Sequence, residues 1–65
     1  MAFNRARMKQ LREQRGMNLS QLAKLSTVPR SVLIDIENGK TKDPSFKTTE
    51  LIAMCLKVNI ETFKI

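Results

Sequence analysis

The sequence has no histidine, a single cysteine, and only two glycines and two prolines among its 65 residues. Without histidine, and with one cysteine, the usual zinc-ligand spacings cannot be assembled and no intrachain disulfide can close. Cys55 lies inside an apolar helical stretch and reads as a small buried hydrophobe rather than a redox group. No apolar run is long enough to span a bilayer and no signal peptide opens the chain, so a reducing cytoplasm is the expected compartment. Catalytic chemistry is equally short of material. No nucleophile stands beside a base, no glycine-rich loop is set to cradle phosphate, and no metal constellation is present. No enzyme activity, cofactor or small-molecule ligand is therefore expected. Acidic residues are scarce too: six against twelve lysines and arginines, a net charge of +6. On so small a body that excess points to a polyanionic partner. A chain of this length makes one domain, residues 1–65, with a thin core that is marginal without a disulfide, metal or association.

What is present is helical spacing with clear punctuation. The central stretch runs from Gln21 to Gly39, QLAKLSTVPRSVLIDIENG. Leu22, Ala23 and Ser26 share one helical face; Leu33, Ile36 and Glu37 share another, and Val28 lies between them. Ala23 is small enough for a close helix crossing. Pro29 drives Val28 out of the α region and presets its own φ for an early helical position. Two short helices joined by a tight turn, the second starting near Pro-Arg-Ser, form a helix-turn-helix whose second helix suits a DNA major groove.

Around this stretch the pattern predicts helices at approximately 5–15, 19–26, 29–38, 46–56 and 60–64: an all-α, compact five-helix bundle. Residues 1–4 read as a frayed start, with Asn4 able to cap the first helix. Met8, Leu11 and Arg12 share a face of that helix, and Gly16 ends it. Asn18 with Gln21 makes a capping box for the second helix, and Met17 can staple onto Leu22. Ser45 caps the fourth helix, where Ile52, Cys55 and Leu56, with Phe46 and Val58, are expected to close the core. Asn59 caps a last turn, from which Phe63 folds back.

The residues Leu22, Ala23, Ser26, Thr27, Val28, Leu33, Ile36, Glu37 and Gly39 resemble the pattern of the phage repressor and Cro-like (lambda/434-like, XRE-type) helix-turn-helix family. The run Glu37-Asn38-Gly39-Lys40-Thr41-Lys42, then Pro44 and Phe46, looks closest to the 434 repressor. The resemblance covers nearly the whole chain. It implies a lambda repressor-like DNA-binding domain, prokaryotic or phage-encoded, that acts on double-stranded DNA as a homodimer. It implies that Arg12 and Glu37 form a structural ion pair, since a guanidinium can grip a carboxylate with two hydrogen bonds. It also implies base reading by Arg30, Ser31 and Asp35, with Ile34 either touching a thymine methyl or filling a packing gap. DNA-backbone contacts would fall to Arg5, Arg12, Asn18, Asn38, Lys40 and Lys42, and to Leu19 through its backbone N–H. Asp35 could instead reject wrong sites, or pair with Arg30 or Arg7. Surplus apolar residues near the C-terminus, such as Leu51, Met54, Ile60, Phe63 and Ile65, would suit a dimer contact, although a thin core would also consume several of them.

Four residues depart from that pattern. Leu19 stands where many relatives have glutamine, Thr27 where they have a left-handed glycine, and Asp43 and Ser45 where the 434 type has arginines. The expected function is therefore a sequence-specific DNA-binding transcriptional regulator, of the repressor kind by resemblance, on a palindromic operator. The alternative is a protein-interaction module, antitoxin or adaptor, that keeps the fold without reading DNA.

Overall fold

The computed structural model describes residues 3–65. Four α-helices follow one another: α1 (Arg5–Gln14), α2 (Leu19–Ser26), α3 (Arg30–Glu37) and α4 (Phe46–Leu56). A fifth α-helix does not form. Ile60–Phe63 is a single turn of 3-10 helix, because only four residues separate the Asn59 cap from Lys64, which is already extended and bridges to Phe3. One turn closed by i→i+3 bonds is the usual outcome for so short a piece.

Short polar side chains start these helices, each satisfying a backbone N–H that the first turn leaves unpaired. Asn4 accepts from the Arg7 amide at 3.0 Å, and Ser45 accepts from the Thr48 amide at 3.2 Å. Asn18 and Gln21 exchange both bonds of the capping box, each at 2.8 Å. Proline starts α3 differently: Pro29 is its cap, without a side-chain bond, so helical residues begin at Arg30. Left-handed residues end the helices. Gly16 follows α1 at φ +66°. Thr27 closes α2 at φ +66° and ψ +9°. The turn thus keeps the left-handed shape despite a β-branched residue, at a cost of about 1–2 kcal/mol. Buried Ser26 helps hold it by accepting from the Val28 amide at 3.2 Å.

The core joins one residue or more from every helix: Met8, Leu11, Leu22, Leu33, Ile36, Ile52, Ala53, Leu56 and Phe63, with Phe3 and Val28 added from outside them. α2 packs on both α3 and α4, and α1 packs on α3 and on the last turn. Two aromatic expectations are reversed. Phe46 does not close the core; it is 68% exposed, because as the first residue of α4 it lies at the open end of the helix, where it borders a groove with Phe3, Ile60 and Phe63. Its place is taken by Phe3, which is buried and stacks on Phe63 with ring centroids 4.9 Å apart. Phe3 is therefore no part of a frayed end. The Asn4 amide donates to the Phe63 carbonyl at 2.7 Å, fastening the start of the chain to its finish. Cys55 is half-buried, with its thiol pKa raised by desolvation. Among the described residues, no helix is long and apolar enough to cross a membrane.

Candidate nucleic-acid interface

α3 presents two different arcs. Leu33 and Ile36 are completely buried, which fixes the helix's rotation about its axis. Residues 30, 31, 34, 35 and 38 then fall on the opposite arc by helical geometry. On that arc Arg30, Ser31 and Asn38 are exposed, while Ile34 and Asp35 are half-buried. Asp35 forms no ion pair with Arg30 or Arg7 among the described residues; Arg7 instead donates to Gln10 at 2.8 Å.

The C-terminal end of α3 is held by α1. Arg12 donates from Nε to Glu37 Oε2 at 2.9 Å and from Nη2 to Glu37 Oε1 at 3.1 Å, a two-bond grip. Its Nη1 donates to the Met17 carbonyl at 2.6 Å. The hydrogen bond to Glu37 raises the arginine pKa above its ordinary value, outweighing desolvation that acts the other way. Arg12 is only 9% exposed. Its guanidinium faces inward and ties α1, the α1–α2 turn and α3 together. Arg5 is also turned towards α3. It is exposed, but its Nη1 donates to the Glu37 carbonyl at 3.3 Å.

The loop after α3 differs from a row of free amides. The Asn38 amide bonds the Ile34 carbonyl and the Gly39 amide that of Ile36. The Lys40 and Thr41 amides both donate to the Asp35 backbone carbonyl, at 2.9 and 3.1 Å. These amides do not stand exposed to a phosphate. Instead the chain folds back over the last turn of α3 and uses these N–H groups to satisfy carbonyls that the helix end leaves open. What the loop offers outward is side chains: Asn38, Lys40 and Lys42 are exposed. At the start of α2, Asn18 is exposed with its carbonyl oxygen and backbone N–H consumed by the capping box, so its side-chain NH₂ is the group left to offer. Leu19 is half-buried and packs against the core, leaving only its N–H at the helix N-terminus, where anions are favoured.

Phe3 is a contributor that sequence reasoning missed. Its amide donates to the Lys42 carbonyl at 3.1 Å, pinning the loop that carries both lysines. No local pattern signals this bond, because its two residues are thirty-nine positions apart. Among the described residues, no cluster of histidine, cysteine or acidic side chains could hold a metal.

Comparison with known proteins agrees with this geometry. Residues 8–63 match the helix-turn-helix family. Over 56 residues the chain is 36% identical to the HTH-type transcriptional regulator SinR of Bacillus subtilis (strain 168), covering 86% of this chain and 50% of that protein. The figures are the same for SinR of Bacillus licheniformis. The chain therefore spans about half the length of these relatives. The solved N-terminal DNA binding domain of SinR from Bacillus subtilis superposes with a TM-score of 0.86 at 34% identity, over 89% of this chain and 84% of that one. The crystal structure of SinR, the master regulator for biofilm formation, in complex with DNA gives 0.85 at 34% identity, over 89% and 95%. SinR in the SinR–SinI complex gives 0.86 at 34% identity, over 91% and 57%. With a family match across most of its length, this chain belongs to the XRE-type helix-turn-helix family, the family of the transcriptional regulator SinR.

Proposed function

We propose that the chain is a sequence-specific double-stranded DNA-binding regulator of transcription, a repressor that works in the cytoplasm as a homodimer on a palindromic operator. The observation that carries this reading is the outward arc of α3. Among the described residues, the side chains of Arg30, Ser31 and Asn38 have no intramolecular partner, on a helix whose opposite arc is fully buried. The likeness to a SinR domain crystallised with DNA supports it, as does the net charge of +6.

In this reading α3 enters the major groove. Arg30 donates two bonds to a guanine, Ser31 bonds a neighbouring base edge, Asp35 accepts from a cytosine amino group, and Ile34 meets a thymine methyl. Asn18, the Leu19 amide, Asn38, Lys40 and Lys42 meet phosphates, which set register but carry little sequence information. Two copies would place one α3 in each of two half-sites a helical turn apart.

Selection of bound sites from a random duplex pool tests the whole scheme. An enriched site with two-fold symmetry is the expected result. Enrichment without symmetry would remove the dimer. No enrichment at all would remove sequence reading and leave the protein-interaction module, antitoxin or adaptor, in its place.

A further inference from the structure

We infer that Arg5 is a positioning residue that locks the Gly39–Lys42 loop onto the end of α3, and so places Lys40 and Lys42 for phosphate; this rests on the DNA-binding reading above. Three observations converge on it. First, Arg5 Nη1 donates to the Glu37 carbonyl at 3.3 Å, one of the last carbonyls of α3, which have no partner inside the helix. A cation at that end also complements the helix dipole. Second, Gly39 sits at φ +83°, and a Cβ on it would lie 2.5 Å from Arg5 Nη1, 2.9 Å from Cζ and 3.4 Å from Nη2. Three guanidinium atoms at such distances mean that the flat group lies across the face of the glycine. Glycine is required there for its backbone angle, and a Cβ would in addition displace the guanidinium from its place. Third, the neighbouring Phe3 amide holds the Lys42 carbonyl at 3.1 Å. Residues 3 and 5 thus tie down both ends of the loop, and with Ile65 they line one shallow depression.

The consequence is preorganisation. A lysine on a loose loop must be ordered when it meets a phosphate, and that ordering opposes binding. Arg5 removes part of the opposition by ordering the loop beforehand. It acts through Lys40 and Lys42, whereas a simple phosphate contact would act alone.

A double-mutant cycle on the selected duplex separates the two roles. Lys42→Ala should weaken wild type roughly tenfold but the Arg5→Ala variant by less than about threefold, since coupled sites are not additive. Losses that simply multiply would overturn the inference. A second readout needs no DNA. Arg5→Ala should shift the amide resonances of Gly39, Lys40 and Thr41 and speed their hydrogen exchange. Arg5→Lys, which keeps the charge but cannot lie flat on Gly39, should do the same. Gly39→Ala should disturb the loop in both backgrounds through its backbone angle, and by more in wild type than in Arg5→Ala, where no guanidinium is left to displace. Unchanged loop amides in Arg5→Ala would sink the inference whatever happens on DNA. If wild type selects no duplex, the functional reading fails, and the amide readout still decides whether Arg5 holds the loop. Arg5 is exposed, so unchanged thermal melting of its variants is expected and separates a local loosening from unfolding.

Discussion

The two ends of α3 are built on opposite principles. Its C-terminal end is gripped twice by α1, with Arg12 on the Glu37 carboxylate and Arg5 on the Glu37 carbonyl. The loop beyond folds back to consume its own amides. Its N-terminal end, Pro29-Arg30-Ser31, has no side-chain cap and exposes its polar groups. The difference shows how an eight-residue helix can present unpaired donors without being mobile. The N-terminal end can stay open because the far end is held, and Leu33 and Ile36 fix the rotation between them.

The sharpest way to break this comparison is to remove one side of the grip. Glu37→Ala leaves the Arg12 guanidinium buried without its carboxylate and should lower stability by about 3–5 kcal/mol. Chemical denaturation would measure it. A loss below ~1 kcal/mol would mean that apolar packing alone holds α3. Replacing Arg12 and Glu37 together by apolar residues of similar size should recover much of the loss.

The open end should respond in the opposite way. Arg30→Ala should leave stability unchanged but cost about 1–3 kcal/mol of binding at one base position, relaxing preference there. Lys42→Ala should weaken all duplexes alike and reduce the salt slope by about one. If both variants lose affinity equally on selected and random duplex, the division between base reading and phosphate contact is wrong.

A smaller effect is expected at the turn leading into α3. Thr27→Gly should stabilise by ~0.5–1 kcal/mol, since relief of the left-handed strain exceeds the added entropy of the unfolded chain. A destabilised variant would show that the threonine is stabilising the turn by another route.

The smallest effect concerns Cys55. Its thiol pKa is raised from 9.0 by burial, so above pH 9 the unfolded chain loses this proton before the folded one does. Folding stability should be fully present below pH 9 and decline as pH rises past it. Melting of wild type against Cys55→Ala from pH 8 to 10 should show a steeper decline in wild type; parallel curves would argue against desolvation of this half-buried thiol.

Much of the fold is legible in the chain because its causes are local. The Asn18–Gln21 box, the Asn4 and Ser45 caps, and the apolar spacing of Leu22, Leu33 and Ile36 all act within one or two helical turns. Thr27 could be read as a misfit in a left-handed position, and its φ of +66° shows that the turn kept its shape. The site is legible only in part. Which side chains lie on the outer arc of α3 follows from helical periodicity, but which N–H groups remain free does not.

By itself, then, the sequence determined where helices start and stop, which stripe each one buries, and that a short helix after a tight turn carries a polar arc in a basic chain. Only the tertiary structure decided that Phe3 rather than Phe46 completes the core, that Arg12 turns inward, and that Arg5 lies across Gly39. It also decided that the last stretch makes one 3-10 turn, because Lys64 is drawn into an extended bridge with Phe3. The physical reason is separation along the chain. Phe3 meets Phe63, and Arg5 meets Glu37 and Gly39, only after the helices have packed, so no local spacing encodes those contacts.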